Sequence, residues 1–265
     1  MLFRREFKRN SRSLIIWSVI MAAIVLLYLS IFPSMAEQQQ SMDNLMNSMP
    51  EGMRNAFGMD RLSLGTPLGF YGIEIHLMTT LLGSIFAAML ASGIVAKEQN
   101  DKTAEFLLAM PISRRTVILQ KGLAVLANVL LFNLVIVAAS LAGFQFAGGG
   151  DISYKAFFLL ELAVCLMHLT FASIAFLFSA VARRTRTIVS ASLGLVFVMY
   201  FLGVVAGLSD SLSWLKYVTP FKYADSAAIL TEERFPPLHA GIMVAAIAFC
   251  FLSAYWYYRK KDIAV

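Results

Sequence analysis

Six apolar runs divide this sequence, and they constrain its fold more than any other feature. They lie at about residues 14–32, 68–96, 116–146, 154–182, 188–208 and 238–257. A helix rises 1.5 Å per residue, so a hydrocarbon core of about 30 Å takes roughly 20 apolar residues. The first run, Leu14 to Phe32, holds 19 uncharged residues. That is longer than the roughly 7–15 of a signal-peptide core. Although Ser34-Met35-Ala36 has the small-x-small look of a cleavage site, an uncleaved first span is favoured. Apolar residues make up 59% of the chain and charged residues only 14%, against about 25% charged in a soluble domain. The expectation is an all-α membrane protein: one domain over residues 1–265 with six transmembrane helices. The net charge of +6 is accounted for by topology and does not point to nucleic acid.

Six spans put both termini on one side, and lysine and arginine say which. With the termini inside, residues 1–12, 97–121, 183–186 and 259–261 hold 16 of the 22 basic residues. The outer segments are the residues between spans one and two, three and four, and five and six. Between the first two spans, Met42, Met46, Met49 and Met53 fall on one helical stripe beside Leu45, suited to the membrane surface. A methionine site for a soft metal is the sharper alternative, but no Cys or His accompanies the stripe and Pro50 interrupts it. Cys165 and Cys250 both lie in apolar runs and read as small buried residues. Between the last two spans, Trp214, Tyr217, Phe221 and Tyr223 alternate with Lys216 and Lys222, a mixture that suits the membrane interface. Pro220 breaks this stretch into two short helices, Ser211 to Val218 and Tyr223 to Leu230.

The sequence contains no GxxxxGK[ST] phosphate loop and no dinucleotide fingerprint. If ATP powers this chain, another chain binds it. No HExxH is present either. Titratable groups inside the spans are Glu74 and His76 in the second, and Glu161 and His168 in the fourth. Glu161, Cys165 and His168 share one face at i, i+4 and i+7. Such groups are costly in a bilayer and face the bundle interior or a wet cavity. They serve either as contacts for a proton, cation or cargo, or as helix-to-helix hydrogen bonds such as glutamate to histidine.

Lys97 to Lys121, KEQNDKTAEFLLAMPISRRTVILQK, is the most charge-dense inner passage. Within it, Thr103 to Met110 is too short to span a bilayer and too apolar for a plain loop. A short helix with one apolar side, held at the membrane surface, is what a partner could grip. Ser113, just after Pro111, predicts the N-cap of the third span.

This passage resembles the inner loop of ABC-2 type transporter permeases: Lys97-Glu98, then Asp101-Lys102-Thr103-Ala104-Glu105-Phe106-Leu107-Leu108, then Pro111-Ile112-Ser113-Arg114. In that family the loop reads as a glutamate, a polar turn, T-x-E-F/Y-L-L and P-[IV]-S-R. Tyr217 to Tyr223, YVTPFKY, the opening FKRNSRSLIIW and the outer SMPEGMRNAFGMD are similar to the six-span bacterial members. The resemblance implies an export permease in the bacterial inner or cytoplasmic membrane, with no catalytic residues, cofactor or metal of its own. It implies a dimer, each copy binding one cytosolic ATPase that holds ATP and Mg. The loop would supply a coupling helix, with Glu98, Lys102, Thr103, Glu105, Phe106, Leu107, Met110, Pro111 and Arg114 as its contact set. Phe106, Leu107 and Met110 would fill a groove on the ATPase, and Glu98, Lys102, Glu105 and Arg114 would pair around its rim. An N-terminal amphipathic segment would lie along the inner surface. Short re-entrant helices before the last span, with Tyr217, Pro220, Phe221 and Tyr223, would close the outer gate. A drug, peptide or lipid is the cargo class the resemblance favours. The competing reading is an ion- or proton-coupled secondary transporter using Glu74, Glu161 and His168. A membrane enzyme or sensor is disfavoured, because no nucleophile–base set is assembled within the spans.

Overall fold

A computed structural model describes residues 2–38, 40, 44, 48–100, 112–148, 152–182, 185–208 and 210–261, the side chains of Gln99, Asn100 and Asp210 excepted. Lys102, Thr103, Glu105, Phe106, Leu107, Met110 and Pro111 lie outside the described residues, as do Met42, Leu45 and Met46. The described residues are mostly helical, with no strand among them, and six helices are long and apolar enough to cross a membrane. They are α1 (Leu2–Glu37), α3 (Pro67–Ser92), α5 (Arg114–Phe146), α6 (Tyr154–Val181), α7 (Thr185–Leu208) and α10 (Pro237–Lys260). Shorter elements are α2 (Glu51–Ala56), α4 (Lys97–Asn100), α8 (Pro220–Tyr223) and α9 (Ser226–Glu232), with a 3-10 helix over Asp210–Tyr217.

The first helix corrects one expectation. No separate amphipathic segment precedes the span: α1 runs unbroken for 36 residues with Pro33 inside it, about 54 Å at 1.5 Å per residue. Nothing between Arg12 and Leu14 breaks a helix, and one stripe stays buried along the whole length. Leu2, Glu6, Leu14, Ser18, Met21, Val25, Leu29 and Phe32 form it, and it packs chiefly along α5.

Local signals set most of the other boundaries. Ser113 caps α5 by accepting from the Thr116 N–H at 3.2 Å, as its position predicted. Ser153 caps α6, accepting from Ala156 N–H at 3.4 Å. Thr66 and Thr219 cap α3 and α8, each ahead of a proline at the first helical position, where the missing N–H costs nothing. The second span ends four residues earlier than its apolar run, at Ser92. Gly93 follows, and the Ser179 hydroxyl of α6 takes the amides of Val95 and Ala96 at 3.0 and 3.1 Å. The expected helix Tyr223 to Leu230 is also divided. Asp225 caps α9 through the Ala228 N–H at 2.9 Å, and a capping residue carries non-helical backbone.

Helix α6 is the centre of the bundle, flanked mainly by α3 and α10, with α5 and α7 beside it. Small residues let α3 and α6 approach closely, as is usual between membrane helices. Gly83, Ser84, Ala87, Ala88 and Ala91 of α3 face inward, as do Ala172, Ala175, Ser179 and Ala180 of α6. Helices α1, α7 and α10 are largely exposed along their apolar lengths. At the end opposite the termini, α2 lies against α7: a Cβ on Gly207 would meet the Ala56 backbone at 2.5 Å.

Candidate functional site: buried charges and polar rungs

The termini end holds an ion cluster drawn from three elements. Glu6 of α1, Lys97 and Glu98 of α4, and Lys121 of α5 are all buried. Lys121 uses each of its three N–H groups. It donates to Glu98 Oε1 at 2.6 Å, to Glu6 Oε1 at 3.4 Å and to the Ile94 carbonyl. Lys97 donates to the other Glu6 oxygen. The half-exposed Arg5 flanks both acids, at 3.8 Å from Glu6 and 4.0 Å from Glu98. Two carboxylates and two ammoniums balance, which is the condition for burying them. Burial, and then repulsion from Lys121, push the Lys97 ammonium below its usual value, while Glu6 and Glu98 act against that.

More bonds complete this frame. The Phe3 N–H donates to Gln120 at 3.0 Å, tying the start of α1 to α5. Arg114 donates to the Lys261 carbonyl at 2.6 Å, and Lys261 Nζ donates to the Ala180 and Ala182 carbonyls at 2.8 and 3.3 Å. A cation there suits the last carbonyls of α6. Helices α1, α4, α5, α6 and α10 are thus joined around the two points where the chain enters and leaves residues 101–111. Glu98 was expected on the rim of a partner contact. It points inward instead, because Lys121 requires a second carboxylate. Arg114 is half-buried against the end of α10.

Deeper in the bundle, polar groups form two rungs across α3, α5 and α6. In the first, Tyr71 O–H donates to Glu161 Oε1 at 2.7 Å and shares a 3.0 Å hydrogen bond with Ser140. In the second, the two ring nitrogens of His168 face Asn133 Oδ1 at 3.0 Å and the Thr79 carbonyl at 3.2 Å. Glu161 and His168 therefore bond to other helices through Tyr71, Asn133 and Thr79, not through a glutamate–histidine pair. These partners went unremarked in the sequence, yet a signal exists. Asn133 and Ser140 are seven apart, as are Glu161 and His168, and antiparallel neighbours with equal spacings come into register. Glu74 is half-exposed and makes no hydrogen bond or ion pair among the described residues; His76 lies at the far end of α3 with Nδ1 unpartnered.

The residues expected at the outer gate are brought together. Pro220 starts α8, and Phe221 packs on Phe171 and Tyr200 at centroid distances of 5.4 and 5.5 Å. Tyr223 donates to the Tyr217 carbonyl and stacks on His239 at 4.9 Å. Tyr217 itself is exposed beneath Lys216. Asp225 anchors the group, accepting from Lys222 at 2.9 Å and from Arg61 at 3.4 Å. Burial opposes its charge, but Lys222, the Ala228 N–H and Arg61 outweigh burial and hold its carboxyl below the usual 3.8. Its contribution is therefore complete above pH 3.8 and lost as pH falls through the lower folded value. Asp225→Asn is expected to cost about 1.5–3 kcal/mol at pH 7. In thermal unfolding across pH, that difference from wild type stays constant down to about pH 5 and closes only below the ordinary aspartate range.

Comparison with known proteins fits this arrangement. The family model described as ABC-2 family transporter protein matches residues 1–263. An uncharacterized protein, YhcI, of Bacillus subtilis (strain 168) is 27% identical over 211 residues, covering 70% of this chain and 66% of that protein. Under two thirds of the relative's length is thus spanned by this chain.

Proposed function

Because this chain belongs to the ABC-2 transporter family, we propose that it is the permease subunit of an ATP-binding cassette exporter. A separate cytosolic ATPase, holding ATP and Mg, would power it, and a second permease copy would complete the pathway. The termini would be cytoplasmic, as the distribution of basic residues favours, in the cell membrane of a bacterium. The cargo class is a drug, peptide or lipid. The observation that carries the reading is the buried cluster of Glu6, Lys97, Glu98 and Lys121. It fastens both flanks of residues 101–111 to the spans, so a push on that segment is delivered to α1, α3 and α5 together.

In this mechanism Phe106, Leu107 and Met110 fill a groove on the ATPase, and Lys102 and Glu105 pair at its rim. Closure of two ATPases on ATP displaces the loop. The frame carries that displacement into the bundle and shifts it from inward-open to outward-open. Such a shift requires contacts that differ between the two states. Glu98 is not among the surfaces that touch the partner: it holds the lever to the bundle.

Phe106→Asp is the decisive variant. A tagged wild-type copy, purified gently from its native membrane, is expected to bring a stoichiometric ATPase identifiable by mass spectrometry. The variant is expected to insert at the same level and lose at least nine tenths of that partner, about 1.4 kcal/mol or more of binding. A wild-type preparation that is stable but free of any ATPase, or a variant that retains it in full, would overturn the reading.

A further inference from the structure

We infer that an acidic phospholipid seats in the groove between α5, α6 and α10, with its chain among apolar side chains and its phosphate beside Arg115 and Arg259. The groove measures about 240 Å3 and is open along one side. Gly122 and Leu126 of α5, Ala172 and Phe176 of α6, and Ile247 and Phe251 of α10 line it. The bare backbone of Gly122 makes room for Phe251. That ring would stand 2.2 Å from a Cβ there, and it stacks on Phe176 at 5.8 Å. The Ser173 hydroxyl, also in the lining, is spent on the Thr170 carbonyl at 2.8 Å. No polar group of the lining is left without a partner, so the groove suits methylenes. It exceeds the roughly 150 Å3 that holds a benzene ring, enough for a stretch of one acyl chain.

The charges lie where the head group of such a lipid would be. Arg115 precedes Gly122 by seven residues, which returns it to the same face of α5, about 10 Å nearer the termini end. The exposed Leu119 lies between them. On α10, Phe251, Tyr255 and Arg259 follow at steps of four and descend one side together. Arg259 rests over the Tyr255 and Trp256 rings, 5.5 Å from each, in the aromatic setting of a membrane interface. Arg114 draws the two helix ends together by donating to the Lys261 carbonyl at 2.6 Å. Neither Arg115 nor Arg259 pairs with a carboxylate among the described residues. Glu6 and Glu98, acids at this end, are held by Lys97 and Lys121. A phosphodiester without a cation of its own answers both arginines, whereas the ammonium of a zwitterionic lipid is repelled by them. A second copy of this chain suits the groove poorly. A two-fold axis along the membrane normal sets each level against itself, so Arg115 and Arg259 would face their own counterparts. The site requires only that the chain cross a membrane, whatever it carries.

The test places the photocrosslinker p-benzoylphenylalanine at Leu123, an exposed residue of the groove's lining. The full chain is set in nanodiscs of equal phosphatidylglycerol and phosphatidylcholine and irradiated, and its lipid adducts are identified by mass spectrometry. Phosphatidylglycerol is expected to exceed phosphatidylcholine at least about tenfold at Leu123, since each arginine near the surface is worth about fivefold. The two lipids are expected to be equal at Val198 of α7, an exposed control position. Arg115→Gln and Arg259→Gln together should bring the Leu123 ratio near one while the adduct still forms. Arg115→Gln alone, a change to an exposed side chain, should lower it about fivefold; it keeps the site testable if the pair folds poorly. A Leu123 ratio near one without either substitution, the same excess at Val198, or an excess that survives both substitutions overturns the site. So does abolition of the excess by free glycerol 1-phosphate, which would make a soluble phosphate ester the occupant.

Discussion

Lys121→Met should destabilise the protein by roughly 3–5 kcal/mol, the cost of leaving a buried carboxylate without its cation. The reason lies in the valence of the cluster. Lys121 is the one member bonded to both acids, and its third N–H holds the Ile94 carbonyl where the chain leaves α3. Without it, Glu6 and Glu98 share Lys97 and the exposed Arg5. Glu6→Leu, Lys97→Met, Glu98→Leu and Lys121→Met together remove all four charges. Such a set replaced by apolar residues of similar volume is often neutral or better, so the quadruple variant is expected to recover most of the loss. Reversible unfolding in detergent micelles measures both. A single variant as stable as wild type would mean that water reaches the cluster and that it does not hold the frame.

The second large effect is expected at Gly83. A Cβ there would stand 2.3 Å from Cε1 and Nε2 of the His168 ring. The ring cannot swing aside without giving up Asn133 or the Thr79 carbonyl. Gly83→Ala is therefore expected to cost about 1–3 kcal/mol from overpacking, with a further 0.5–1.5 kcal/mol if a hydrogen bond breaks. His168→Ala alone leaves a cavity and takes the partner from Asn133 Oδ1. The two changes combined should cost less than the sum of the singles, because each relieves the other's fault. Additive losses in a double-mutant cycle would show that the ring relaxes freely and that the α3–α6 contact is looser than it looks.

The gross architecture was legible because apolar length is a direct physical requirement of a bilayer. Five of the six spans agree with their runs to within a few residues, and Ser113 announced the start of α5 by its chemistry. What was not legible depends on partners distant in the chain. Glu6 reads as one acid in a basic stretch until Lys97 and Lys121 are beside it, 91 and 115 positions away. Glu98 reads as a surface residue for the same reason. The rungs were half legible: Glu161 and His168 stood out as charges in an apolar run, whereas Tyr71, Asn133 and Ser140 did not, since tyrosine, asparagine and serine are unremarkable in a helix. The second span also ended early, because the hydroxyl that captures Val95 and Ala96 belongs to α6, more than eighty residues further on.

The same cluster has a consequence for how the chain is made. Glu6 belongs to the first helix, and the lysine that completes its burial is 115 residues later. At the usual 5–20 residues per second, that interval is on the order of ten seconds. Throughout it, the charged start of α1 has to stay in water, because an unpaired carboxylate is too costly to bury. The first helix can therefore cross the membrane early but cannot settle against its neighbours until the third span has been synthesised. The last step in seating the oldest helix waits for one of the middle ones.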